Sequence, residues 1–138
     1  MSRFATKTTV SVEKSRNEIE RLLARYKASK FAYMTDGNHA VIVFEANERR
    51  LRFIVPFEDK KSEKFWNRTR SAVLAESRWE QEVRSRWRAL LLSIKSKLES
   101  VEIGLETFEE AFMAHVVLPS GQTVGEWMNP QIAEAYSH

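Results

Sequence analysis

The chain has no cysteine. That excludes a disulfide scaffold, a thiolate metal site and a cysteine nucleophile. Four glycines and three prolines in 138 residues leave little material for long irregular connections, so most of the chain is predicted to be regular structure. No apolar run approaches the roughly 18 residues of a membrane span. The longest aliphatic stretches, Ala40–Phe44 and Ala89–Leu92, are short. Met1–Lys7 carries no run of signal-peptide length, so a cytoplasmic protein without membrane contact is expected. Neither a 20–50-residue repeat nor a low-complexity tract occurs. The most informative shortage is of positive charge: no Lys or Arg follows Lys97.

What is present suits one folded domain over 1–138. The chain is 43% hydrophobic and 30% charged, enough to bury a core. Its net charge is +3, but residues 1–98 hold all 22 basic side chains and 12 acids, a balance of +10. Residues 99–138 hold seven acids and no base, a balance of −7. Such asymmetry points to nucleic acid or to a surface of opposite charge.

Thr8-Thr9-Val10-Ser11-Val12 is β-branched and predicts a short leading strand. Ser15-Arg16-Asn17-Glu18 fits a capping box, and Ile19, Leu22, Leu23 and Tyr26 follow at helical spacing, predicting a helix over about 13–28. Phe31–Met34, Ala40–Phe44 and Leu51–Val55 read as an antiparallel three-stranded meander. Its turns are Asp36-Gly37-Asn38, where Gly37 allows a positive φ, and Asn47-Glu48-Arg49. Pro56 ends the third strand. Residues 57–70 lack a period and predict a mobile basic loop.

From Ser71 to Ala114 there is no proline and only one glycine, Gly104. Apolar residues recur at steps of three and four from Trp79 to Phe112. This predicts one very long amphipathic helix over 71–114, bent or broken near Gly104 if anywhere. Unbroken, it would span on the order of 55–65 Å. Pro119-Ser120-Gly121 between Val116–Leu118 and Gln122–Val124 signals a hairpin. Asn129-Pro130 matches an N-cap followed by proline, predicting a short helix over 130–136. The fold class expected is α+β: the meander packed on helix 1 and the long helix, then a hairpin and a short helix.

On a helical projection, Arg84, Arg88 and Lys95 share a strip about 40° wide that Glu99, Glu102 and Glu106 continue. The macrodipole favours the reverse order of charge. Three readings account for it. The charges pair within the domain; or an antiparallel copy sets bases against acids, with Trp87, Ile94 and Leu98 filling the seam of a homodimer; or the basic half is a groove for nucleic acid. Trp66-Asn67-Arg68, Arg78-Trp79 and Arg86-Trp87-Arg88 interleave rings with cations, as phosphate contact with stacking requires. Trp79 and Trp87 share a face with Val83 and read as core. Trp66, in the loop, is the better stacking ring.

Catalytic patterns are missing. His39, His115 and His138 sit apart, no Glu-x-x-His occurs, and the glycines form no phosphate loop. Glu102, Glu106 and Glu110 have i, i+4 spacing and read as a solvated acidic face rather than a metal site. No enzyme, metal or cofactor is expected.

Two resemblances add context. Thr9–Arg16, Glu18–Leu23, Phe108-Glu109-Glu110, Val117-Leu118-Pro119 and Thr123–Met128 together resemble a family of small phage- and prophage-encoded proteins. That implies phage DNA metabolism, or interference with a defence system, in a host-cell cytoplasm. The order helix, three strands, helix resembles double-stranded-RNA-binding domains. Lys60-Lys61-Ser62-Glu63-Lys64 is similar to that family's basic cluster and Gly37-Asn38-His39 to its first inter-strand loop, without the usual proline. The long helix and the loop 56–70 depart from that compact domain.

The expected function is a non-enzymatic nucleic-acid-binding accessory protein of a phage or mobile element. Lys60, Lys61, Lys64, Arg68, Arg70, Arg84 and Arg88 would meet phosphates and Trp66 would stack. The alternative is an inhibitor of a host nuclease or CRISPR complex, with a host protein as partner.

Overall fold

The computed structural model describes residues 8–137. The order is α1 (Val12–Arg25), β1 (Ser29–Thr35), β2 (His39–Ala46), β3 (Arg49–Pro56), a 3-10 turn (Glu63–Trp66), α2 (Ala72–Glu102), α3 (Phe108–Phe112), a second 3-10 turn (Met113–His115) and α4 (Val124–Ala135). The strands form an antiparallel meander in the order β1-β2-β3, and the class is α+β.

Alternation along β2 and β3 builds the inner face of the sheet. Ala40 pairs with Val55, Ile42 with Phe53 and Phe44 with Leu51, and all six are buried. Ile19 and Leu23 of α1, with Trp87, Leu90, Leu91, Ile94 and Leu98 of α2, cover that face. Phe112 closes one end, edge-on to Phe53 at 6.2 Å. Each such side chain stabilises the fold by about 1.5–3 kcal/mol on burial. Asn47 and Glu48 both take positive φ (53° and 62°), the conformation of a two-residue hairpin turn that matches strand twist.

Several local expectations change. Residues 8–11 form no strand. Thr8 is buried, its hydroxyl accepts from Val10 N–H (3.1 Å) and its carbonyl accepts from Gln81 Nε2 (2.8 Å), so these groups are satisfied without a sheet. The cap of α1 is Ser11, whose Oγ accepts from Lys14 N–H. Ser15 lies one turn inside, buried. The helix stops at Arg25 because Lys27 turns left-handed (φ 65°), with Ala28 N–H on Leu23 O and Lys27 N–H on Ala24 O.

The long helix ends at Glu102. Gly104 takes φ 79°, and Gly104 N–H to Val101 O and Leu105 N–H to Ser100 O close the same type of C-cap. Thr107 and Glu110 then form a capping box that opens α3, so apolar spacing beyond 102 belongs to a second helix returning Phe112 to the core. At 31 residues α2 is about 45 Å long. The predicted hairpin is a single bridge, Val117 to Thr123, and Val116 also bridges Leu51 on the β3 edge. α4 starts six residues before Asn129-Pro130, because Thr123 and Glu126 form its capping box; Pro130 lies inside it.

Candidate nucleic-acid interface

Residues 57–71 are a folded strap rather than a free loop. At its start, Phe57 is buried and its N–H donates to Asn38 O (3.1 Å) in the β1–β2 turn. Gly37 in that turn lies outside the left-handed region, contrary to expectation. Its missing Cβ leaves room instead, since a Cβ there would lie 2.9 Å from Asp59 Oδ2. Asp59 organises the next bend through Lys61 N–H to Oδ1 (2.9 Å) and Ser62 N–H to its carbonyl (2.9 Å). Ser62 caps the 3-10 turn, which buries Phe65.

α2 holds the strap with three side chains from little more than one turn. Arg78 Nη1 donates to Phe65 O (3.1 Å) and Asn67 O (2.6 Å). Trp79 Nε1 donates to Glu58 O (3.1 Å). Glu82 accepts from Glu58 N–H (3.0 Å) and from Lys64 Nζ. Burial pushes the Glu82 carboxyl up, but the hydrogen bonds from Lys64 and Glu58 outweigh it and hold the group below the ordinary 4.5.

This geometry brings Lys60, Lys61, Lys64, Trp66, Arg68 and Arg70 onto one strap. The strap 57–71 holds those five cations and three acids, Glu58, Asp59 and Glu63. Lys60, Lys61, Arg68 and Arg70 are exposed and form no ion pair with the described residues; Lys64 is engaged by Glu82. Lys60, Lys61, Trp66, Ala72, Ala75 and Glu76 line a shallow groove of about 380 Å³. Trp66 is 38% exposed, so it offers part of its ring rather than a free face. Beside it, α2 begins at the Ser71 cap with Ala72-Val73-Leu74-Ala75, a first turn without an acid.

Arg84 and Arg88 are not part of this surface. Helical periodicity turns them toward α1, while Arg78 and Glu82 face the strap. Arg84 is half-buried, with Nη2 on Gln81 Oε1 (2.7 Å). Arg88 pairs with Glu18 (3.3 Å) and borders a separate groove between α1 and α2, about 830 Å³, with Arg21, Leu22, Arg25, Leu92 and Lys95. The expected dimer seam is also corrected. Trp87, Ile94 and Leu98 are consumed by the chain's own core, at 2%, 0% and 3% exposure. Glu102 accepts from the Tyr26 hydroxyl, Glu106 accepts from Ser100 Oγ (2.7 Å), and Glu99 alone of the three is exposed with no side-chain hydrogen bond among the described residues.

Sequence reading sets Arg78-Trp79 among the cation–ring pairs, whereas the Arg78 guanidinium is turned to the strap carbonyls, and the contact of the β1–β2 turn with the strap was not foreseen. The i, i+4 pair Arg78 and Glu82 was a visible signal, but its target lies across the strap. Among the described residues no three His, Cys, Asp or Glu side chains gather as a metal site requires. Glu110, the third of the spaced acids, serves its own capping box, where the Thr107 N–H lowers its pKa. No helix among the described residues is long and apolar enough to cross a membrane. No family model, curated protein or solved structure matches the chain.

Proposed function

We propose that the protein is a non-enzymatic nucleic-acid-binding accessory factor of a phage or mobile element and that the strap 57–71 is its contact surface. One observation carries this: four cations without acidic partners among the described residues are held on a hydrogen-bonded strap beside the acid-free first turn of α2. Folded cations lose less entropy on binding than cations on a free loop. The positive end of the helix macrodipole favours phosphate in the same place. Lys60, Lys61, Arg68 and Arg70 meet phosphates, and the open part of Trp66 stacks on a base. Lys64 is partly withheld by Glu82. Resemblance to phage-encoded proteins supplies the biological setting.

Fluorescence anisotropy with single- and double-stranded DNA and RNA at two or more salt concentrations tests this. Four phosphate contacts give a log affinity against log salt slope of about −3.6 on duplex DNA and about −2.8 on single strands. Charge reversal at Lys60 and Lys61 should abolish binding at moderate salt. Absence of binding to every polynucleotide at low salt would overturn the proposal and favour a host defence protein as the partner.

A further inference from the structure

α1 and α2 lie side by side and run in the same direction. Gln81 Nε2 donates to Thr8 O just ahead of α1, Arg88 pairs with Glu18 at its middle, and the Tyr26 hydroxyl at its end donates to Glu102. The groove of about 830 Å³ between the two helices shares no lining residue with the groove beside the strap. Arg88 and Lys95 stand about 110° round α2 from Arg78 and Glu82, so groove and strap occupy different faces.

Each helix gives this groove a stripe of the same i, i+3, i+4, i+7 spacing, about 10 Å long. From α1 come Glu18, Arg21, Leu22 and Arg25, and from α2 come Arg88, Leu91, Leu92 and Lys95. The leucines are the floor: Leu91 is buried, and Leu22 and Leu92 are only half-buried. The walls are basic. Four cations against one acid leave a balance of +3, and that acid, Glu18, is taken by Arg88. Arg21, Arg25 and Lys95 are exposed and form no ion pair with the described residues. The charged strip of α2 turns acidic past Lys95, where Glu102 already holds Tyr26. The cationic stretch is therefore two turns long, and the strap makes no use of it.

We propose that the α1–α2 groove docks an acidic amphipathic helix of a partner protein. A third helix laid between two parallel helices sets one apolar ridge, at every third or fourth position, on the floor they share. Here that ridge covers Leu22, Leu91 and Leu92. Carboxylates on its two flanks meet Arg21 and Arg25 on one wall and Lys95, with Arg88, on the other. The long stems of these cations widen the apolar trough while their heads stay at the rim, which suits an apolar ridge with acidic flanks. Nucleic acid fits less well. The groove holds no aromatic ring on which a base could stack, and a phosphate backbone gains nothing from a leucine floor. A small anion finds charged groups only on exposed, flexible stems, with none fixed to orient it. This site is independent of the strap, so failure of either leaves the other standing.

The probe is a fluorescein-labelled helical peptide of about four turns, with leucine at every third or fourth position and glutamate on both sides of that stripe. It should bind the full chain and shift the backbone amide resonances of residues 18–25 and 88–95, leaving those of 60–70 in place. Arg21→Glu/Lys95→Glu should weaken binding about tenfold or more, because two attractions become repulsions. Leu92→Asp should weaken it as well. These side chains are exposed or half-buried, and an unchanged circular dichroism spectrum checks that each variant folds. Three results would each overturn the proposal. One is no shift at 18–25 and 88–95 with high micromolar peptide. Another is equal binding of the same peptide with lysine in place of every glutamate. The third is a DNA or RNA oligonucleotide that shifts those amides more strongly than the peptide, since the groove would then belong to a nucleic-acid surface.

Discussion

Arg78 Nη1 donates to the carbonyl oxygen of Asn67 at 2.6 Å. This bond ties the basic strap to the long helix, eleven residues on in the chain, and the same nitrogen also reaches Phe65 O. Replacing Arg78 by Met keeps most of the stem but removes the donors. The strap carbonyls then lose charged hydrogen bonds, each worth about 1.5–3 kcal/mol. Amides of residues 62–70 should exchange with deuterium markedly faster in Arg78→Met, while those of β2 and β3 hold closer to their original protection. Unchanged exchange over 62–70 would mean that Phe65 alone anchors the strap.

Under the proposed nucleic-acid contact, Glu82 would compete with phosphate for Lys64. In Glu82→Gln the amide oxygen still accepts from Glu58 N–H, but the negative charge beside Lys64 is gone. The freed cation should tighten polynucleotide binding and steepen the duplex salt slope by about 0.9, one more phosphate contact. Lys64→Ala in the original background should change the slope little. Anisotropy titrations of the two variants in parallel check both statements.

The parts of the fold legible in sequence were those governed by short-range patterns. The alternation of Leu51, Phe53 and Val55 gave β3 and its buried face, and Asn47-Glu48 gave its turn. Helix ends were less legible, because the signals used were not the ones that act. Lys27 supplies the left-handed C-cap of α1 without being glycine, and Thr123, rather than Asn129, starts α4. The strap was illegible because its order comes from Arg78, Trp79 and Glu82, which meet it only after α2 has folded. Trp87, Ile94 and Leu98 could be read as core or seam, since periodicity shows that a face is apolar and not what covers it. The cationic residues 60–70 were found from composition alone, whereas the separation of Arg84 and Arg88 from them required the third dimension.

His115 stacks on Phe53 at 3.9 Å. Burial, followed by the positive charge of Lys97, lowers its pKa below 6.5, against a smaller raising effect from the Arg52 backbone. The unfolded chain therefore binds this proton more readily than the folded one. Stability should fall as pH drops below about 6.5 and level off once the folded-state pKa is passed. Glu82, Glu110 and Glu126 are all held below 4.5, so the stability they contribute is lost in a separate window at lower pH. Urea midpoints from pH 7.5 to 5.5 should decline in the original chain and decline less in His115→Gln. An identical slope in both would assign the dependence to another group.

Gly104 occupies φ 79° and, its chain neighbours aside, no atom of the described residues lies within 4 Å of where a Cβ would sit. Its substitution isolates backbone strain from steric clash. Gly104→Ala should cost about 1–2 kcal/mol, and Gly104→Asn less, because Asn tolerates the left-handed region. Urea denaturation reads the difference. Unchanged stability in Gly104→Ala would mean that α2 can run past Ile103 at no cost, restoring the long uninterrupted helix that the spacing alone suggested.

Trp87 distinguishes a core from a seam. It is 2% exposed beneath the sheet of its own chain, so its removal should destabilise each protomer regardless of any partner. Trp87→Phe should be milder than Trp87→Ala, for which a loss of about 3–5 kcal/mol follows from lost transfer energy and the cavity left behind. The loss should be the same at low micromolar and at high micromolar protein, because no intermolecular contact is removed. A seam residue behaves otherwise: its truncation lowers the thermal midpoint most where association contributes most, at high concentration. Thermal midpoints of the original chain and of Trp87→Phe at two concentrations a hundredfold apart decide between the two. A parallel displacement of both midpoints places Trp87 in the core, whereas a displacement confined to the concentrated samples would return it to a dimer seam.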